Sequence, residues 1–182
     1  PTFSRLPHQS LQAMRIDAGP HAGVRLWGDE LEAVETKLRA AGVVDVGEET
    51  RDTLRVEWGE PADAELTLEH NPWEAGLGDA IHMNKGCYTG QEVVARLDTY
   101  RKVKQHLVGL RLHAPVMAGA TVEVQQRTVG NVTSVARSPD LGALALAYLR
   151  TAHCDPGTAV VVQTEGAEPV PAVVSQLPFP RV

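Results

Sequence analysis

Residues 128–150 read TVGNVTSVARSPDLGALALAYLR. Two runs rich in valine, threonine, alanine and leucine, 128–137 and 142–150, flank SPDLG. Ser, Pro, Asp and Gly clustered in that order are turn chemistry, so the stretch predicts two strands joined back to back. Working outward, similar runs occur at 106–113 (HLVGLRLH), 121–126 (TVEVQQ), 158–165 (TAVVVQTE) and 169–177 (PVPAVVSQL). PVMAG, CDPG and EGAEP separate them. Six short strands at regular turn spacing predict a small antiparallel barrel or sandwich.

Upstream of residue 104 the texture is helical. In 28–42, Leu31, Val34, Leu38 and Ala41 recur at spacings of three and four, with Asp29 placed as an N-cap and Gly42 as a C-cap. In 47–59, Thr50, Leu54 and Trp58 form an i, i+4, i+8 series that stops at Gly59. NPWEAGLGDAI (71–81) opens with Asn at the cap and Pro at the first helical position, predicting a helix there. GQEVVARL (90–97) predicts a further helix just past Gly90. LQAMRIDAG and GVRLWG read as two strands joined by GPHAG. The expected fold class is α+β. Residues 1–104 form a mixed part and 105–182 an antiparallel β-barrel, with 98–105 linking them.

Composition narrows the classes. Apolar residues make up 43% of 182, so a packed core is available, though aromatics at 4% leave Ala, Val and Leu to build it. A net charge of −6 gives no general attraction to nucleic acid, so direct nucleic-acid binding is not expected. Two cysteines, Cys87 and Cys154, are no disulfide framework and point to a reduced, cytoplasmic chain. No apolar run reaches the ~18 residues a bilayer needs, and the first ten residues lack a signal-peptide plan. The chain starts without Met and reads as a fragment, a processed form or a piece of something longer.

The densest chemistry is NKGCYTGQE at 84–92. Gly86 and Gly90 permit a left-handed backbone or close approach by a ligand. Cys87 beside Lys85, near a helix start, would have a lowered thiol pKa and be reactive. The competing reading is a small buried cysteine beside a turn, and spacing by itself leans that way. A nucleophilic Cys87 needs a general base, for which His70 and His82 are the candidates near in sequence. Metal spacing is missing: there is no C-x₂-C pair or H-x₃₋₅-H run, and His153–Cys154 read as a turn. GCYTG lacks the Lys-Ser/Thr that would make it a P-loop. Arg96, Arg101, Lys102 and Lys104 against Asp98 form a local basic run, either an anion receiver or a solvated linker.

KGCYTGQE (85–92) closely resembles the signature octet of the YgfZ-type folate-binding proteins, relatives of the glycine-cleavage T-protein (aminomethyltransferase). NPWEAGL before it, VVARL after it, TRDTLRVEWGEP (50–61) and the 128–150 stretch support the resemblance, which spans roughly 24–175. It implies a folate-holding first domain, a ferredoxin-like second domain and a C-terminal barrel around a channel for tetrahydrofolate. Residues 1–104 would then be the later part of the folate-binding α+β region, with most of the N-terminal portion absent. The implied role is auxiliary: supporting iron–sulfur cluster assembly or repair, and through it tRNA modification, with folate and iron–sulfur proteins as partners. Cys87 matches the octet's reactive cysteine, and Lys85, Gly86, Tyr88, Gly90, Gln91, Glu92 and Arg96 match its folate-side neighbours. T-proteins proper read more like K-x-D-F-x-G there and use an aspartate from an N-terminal region that this chain lacks. An aminomethyltransferase is therefore the alternative, and an RNA- or protein-binding module a third. One departure is Arg101, where many relatives have glycine.

Overall fold

The computed structural model describes residues 3–5, 11–16, 23–29, 31–83, 86–100 and 103–181. The chain divides into two compact units, 1–51 and 52–182.

In the first unit β1 (Phe3–Arg5), β2 (Gln12–Ile16) and β3 (Gly23–Trp27) form an antiparallel sheet in sequence order. The strand pair expected on either side of GPHAG is β2 and β3; β1 went unread. Helix α1 (Leu31–Ala40) ends as expected at Gly42, where Val43 N–H donates to Leu38 C=O and Gly42 N–H to Arg39 C=O, a Schellman stop. Leu31 is its first helical residue, two positions after Asp29, and residue 30 between them lies outside the described residues. Its apolar stripe is not buried, with Leu31 and Leu38 each 41% exposed. Helix α2 (Glu48–Trp58) runs across the boundary between the units. Its buried residues are Val56 and Glu57, while Thr50 is exposed and Leu54 and Trp58 are only half-buried.

The second unit is built on a closed six-stranded antiparallel barrel, which settles the choice between barrel and sandwich. Its strands are β4 (Gln105–Leu112), β5 (Thr121–Val124), β6 (Arg127–Ser138), β7 (Gly142–Arg150), β8 (Ala159–Gln163) and β9 (Val170–Ser175). They follow one another round the barrel as β4-β7-β6-β5-β8-β9. Every strand predicted from the turn spacing is present. The 121–126 run stops early because Gln125 and Gln126 take φ of 51° and 62° and make the β5–β6 hairpin turn.

Strand β7 explains why both its faces are apolar. Ala145, Ala147 and Leu149 point into the barrel among Val108, Leu110, Val122 and Val174. Leu144, Leu146 and Tyr148 point outward onto a second cluster with Val56, Ala75, Leu107 and Phe179. Small residues suit the narrow interior of a six-stranded barrel, and larger ones fill the outer layer. Gly109 in β4 lets that outer layer close, since a Cβ there would sit 2.6 Å from the Phe179 ring.

The outer layer is fastened by a buried carboxylate. Glu65 is 0% exposed. It accepts from Ser134 Oγ at 2.6 Å, from Ala62 N–H at 2.9 Å and from the Arg55 guanidinium at 3.2 Å. Arg55 in turn reaches Ser134 Oγ at 2.9 Å, Asp52 at 2.7 Å and the Glu60 carbonyl at 3.0 Å. A β-bulge places Ser134 there. Val132 pairs with Ala147 and Ser134 with Leu146, two residues of β6 against one of β7. Strand alternation would put 132 and 134 on the same face; the extra residue sends Val132 into the barrel and Ser134 out to Glu65.

The helix expected over 71–81 is one turn instead. Asn71 Oδ1 accepts from the Trp73 and Glu74 N–H groups, and Glu74 Oε2 accepts from Asn71 N–H at 3.1 Å, a reciprocal capping box. The turn then ends at Gly76, φ 73°, with Leu77 N–H donating to Pro72 C=O. A 3₁₀ turn, Gly78–Ala80, follows. Helix α3 (Gln91–Tyr100) starts where expected but runs three residues past 97, into the stretch read as a linker.

Replacing Glu65 by Ala should strip the Arg55 guanidinium and Ser134 of their buried acceptor. Urea unfolding should register a loss of about 3 kcal/mol or more. A loss below about 1 kcal/mol, the range of an exposed ion pair, would show that the buried network does not hold the layers.

Candidate functional site

Two features close in sequence carry the site: the octet loop before α3, and a cleft beside the far part of the same helix. In the loop, Cys87 is exposed and free, against the leaning toward a buried thiol drawn from spacing. Gly90 takes φ 89°, a conformation glycine adopts without strain. Gly86 is exposed, with open space where a Cβ would stand. Tyr88 is half-buried and its carbonyl accepts from Gln91 N–H at 3.2 Å. The Gly90 carbonyl accepts from Val94 N–H at 3.2 Å, starting α3. Gln91 is half-buried, and Glu92 and Arg96 are exposed and four residues apart on one helix face. Lys85, Arg101 and Lys102 lie outside the described residues.

The helix is held in place by its neighbour in sequence. Trp73 Nε1–H donates to the Val94 carbonyl at 3.0 Å, so the capped turn at 71–76 anchors α3 two residues past the octet. The same turn is tied to the barrel, because Leu107 N–H donates to the Glu74 carbonyl at 2.8 Å. The octet loop is thereby fixed relative to β4 through two hydrogen bonds and the 71–76 turn.

The cleft holds about 540 Å³ between the 68–74 segment, Leu97 of α3, and the barrel end at Lys104, Gln105 and Arg150. His70 forms part of its wall. The imidazole stacks on the Tyr148 ring with centroids 3.6 Å apart, and its Nδ1 lies 2.9 Å from Gln105 Nε2. The Tyr148 hydroxyl donates to the Glu65 carbonyl at 2.9 Å. Burial, and then the Glu65 and Glu74 carboxylates, push the Tyr148 phenol up to about 12. His70 therefore belongs to the cleft wall, and the role of base for Cys87 finds no support in its contacts. Cys154, the other cysteine, packs against the barrel core; its thiol hydrogen-bonds the Leu149 carbonyl at 3.3 Å and burial pushes its pKa up. Among the described residues no cluster of three or more His, Cys, Asp or Glu could hold a metal ion. Among them, too, no helix is long and apolar enough to cross a membrane.

The family model described as the glycine cleavage T-protein C-terminal barrel domain matches residues 105–180, the six barrel strands and the tail after them. Aminomethyltransferases from Synechococcus elongatus and Streptomyces avermitilis are 38% and 36% identical to the chain, over 89% and 98% of it. A chloroplastic Arabidopsis thaliana protein, whose name marks it provisionally as a transferase, is 39% identical over 97%. The crystal structure of the glycine cleavage aminomethyltransferase T of Bartonella henselae overlays 96% of the chain with a TM-score of 0.82 at 25% identity. The chain belongs to the glycine-cleavage T-protein superfamily. It spans about half the length of these T-protein relatives: 42% of the Arabidopsis and Synechococcus proteins, 49% of the Streptomyces one and 51% of the Bartonella chain.

Sequence reasoning missed Glu65, Arg55, Ser134 and Tyr148. Arg55 stands inside the family-like segment 50–61, but nothing local marks its long-range partners.

The raised Tyr148 pKa has a definite sign. Between pH 10 and 12 the unfolded chain loses this proton while the folded chain keeps it, so stability falls with rising pH. Below pH 10 its contribution is complete. The melting temperature of the wild type should drop more steeply from pH 10 to 12 than that of Tyr148→Phe; parallel curves would refute the buried, protonated phenol.

Proposed function

We propose that this chain is the thiol-bearing part of a YgfZ-type folate-binding auxiliary protein that supports iron–sulfur cluster assembly or repair, and through it tRNA modification. The observation that carries this reading is Cys87, exposed on the Gly90-turned loop in the order K-G-C-Y-T-G-Q-E. An accessible thiol supplies a transient soft ligand to iron or a partner in disulfide exchange. Tyr88 and Gln91, half-buried beside it, offer a ring and an amide to tetrahydrofolate, and Arg96 a charge to its glutamate. Lys85 completes the set by its place in the octet. The protein would work in the cytoplasm, with iron–sulfur proteins as partners.

Aminomethyl transfer to tetrahydrofolate is the second reading, favoured by the names of the relatives. The octet argues against it, since Cys87 stands where T-proteins proper carry a different pattern.

Cys87→Ala should leave the melting temperature within about 1 °C, because an exposed side chain contributes little to packing. It should abolish rescue in a cell lacking the YgfZ-type gene, and full rescue would remove the role assigned to the thiol. Tetrahydrofolate should quench the fluorescence of Trp27, Trp58 and Trp73 saturably. Formation of methylenetetrahydrofolate with the aminomethylated lipoyl carrier protein would favour the transferase instead.

A further inference from the structure

The cleft beside the far part of α3 is not used by the Cys87 reading, and its chemistry is specific enough to assign a ligand class. Two cations, Lys104 and Arg150, stand together at one end of the barrel. Arg150 ends β7 directly opposite Gln105, the first residue of β4, and the Lys104 carbonyl accepts from Thr151 N–H at 3.0 Å. Both side chains are exposed, line the cleft and enter no ion pair among the described residues. The facing 68–74 segment brings Glu69 and Glu74 instead. Glu74 has one oxygen committed to Asn71 N–H within the capping box. The cleft is thus lined by both signs of charge, cations from the barrel end and carboxylates from the 68–74 segment.

His70 lines the same cleft, its Nδ1 held 2.9 Å from Gln105 Nε2. Stacking on Tyr148 fixes the plane of the ring. The hydroxyl of Tyr148 is in turn held by the Glu65 carbonyl, so the wall is rigid down to the buried network. A ring held in place, two exposed cations, aliphatic Leu97 and about 540 Å³ of space match the pattern of a small-molecule pocket.

We infer that this cleft binds a small organic carboxylate, its anionic end against Lys104 and Arg150 and a hydrogen-bond donor at its other end toward Glu69. Leu97 lies six residues beyond Gln91, which starts α3, about 9 Å along the axis. A ligand in the cleft would therefore touch the helix that carries the octet without touching the octet.

The probe is 4-hydroxybenzoate, with 4-hydroxybenzamide as its neutral counterpart, titrated into the ¹⁵N-labelled full chain by NMR. Saturable shifts are expected at the amides of Leu97, Gln105 and Arg150, with a Kd on the order of 1 mM for so small a ligand. Lys104→Gln/Arg150→Gln, which alters only exposed side chains, should weaken binding at least about tenfold while leaving the spectrum folded. Cys87→Ala should bind as well as the wild type, so failure here leaves the Cys87 reading untouched. The proposal falls if no saturable shift appears, if the benzamide binds as tightly as the benzoate, or if the double variant keeps its affinity.

Discussion

A buried carboxylate must be satisfied, and Glu65 draws its hydrogen bonds from three separate stretches of chain: Ala62 in its own turn, Arg55 of α2 and Ser134 of β6. Burying a charge costs several kcal/mol unless its hydrogen bonds are complete, so a partial version of this arrangement is strongly disfavoured. That requirement fixes where α2 and the 59–70 segment lie against the barrel. It also recruits Tyr148, whose hydroxyl closes on the Glu65 carbonyl and whose ring then supports His70. The cleft wall is a consequence of the buried ion pair.

The octet loop depends on a second fastening built from cheaper parts. The capping box at Asn71 and Glu74 organises a single turn, and that turn donates one bond to α3 and receives one from β4. With α3 held near its middle, the chain before it carries Cys87 into solvent. The loop therefore presents its thiol from an anchored helix.

Membership in the T-protein superfamily and the local chemistry weigh differently on function. The superfamily fold accounts for the barrel and for the layer outside it, but a fold hosts more than one activity. The relatives' extra length, about half of each protein, makes the whole-protein activity a property of more than the residues described.

The sequence by itself determined the local events. Alternation and turn residues placed all six barrel strands, and Gly42, Gly59 and Gly90 marked where helices stop or start. The octet stood out because eight positions in fixed order are visible without a partner in space. The limits were equally physical. Asn71 and Pro72 signalled a helix start correctly, yet Gly76 closed the turn after one cycle, a contest between local signals that spacing does not resolve. Gln125 and Gln126 make a positive-φ turn with residues that do not advertise one. The apolar stripe of α1 shows in the periodicity, but periodicity does not tell what, if anything, covers Leu31 and Leu38. Only the tertiary structure decided that Ser134 faces outward, because a one-residue bulge reverses the parity of a strand. Only it joined Arg55, Glu65 and Ser134, since a buried charge is satisfied by neighbours in space, and those lie 10 and 69 positions from Glu65 along the chain.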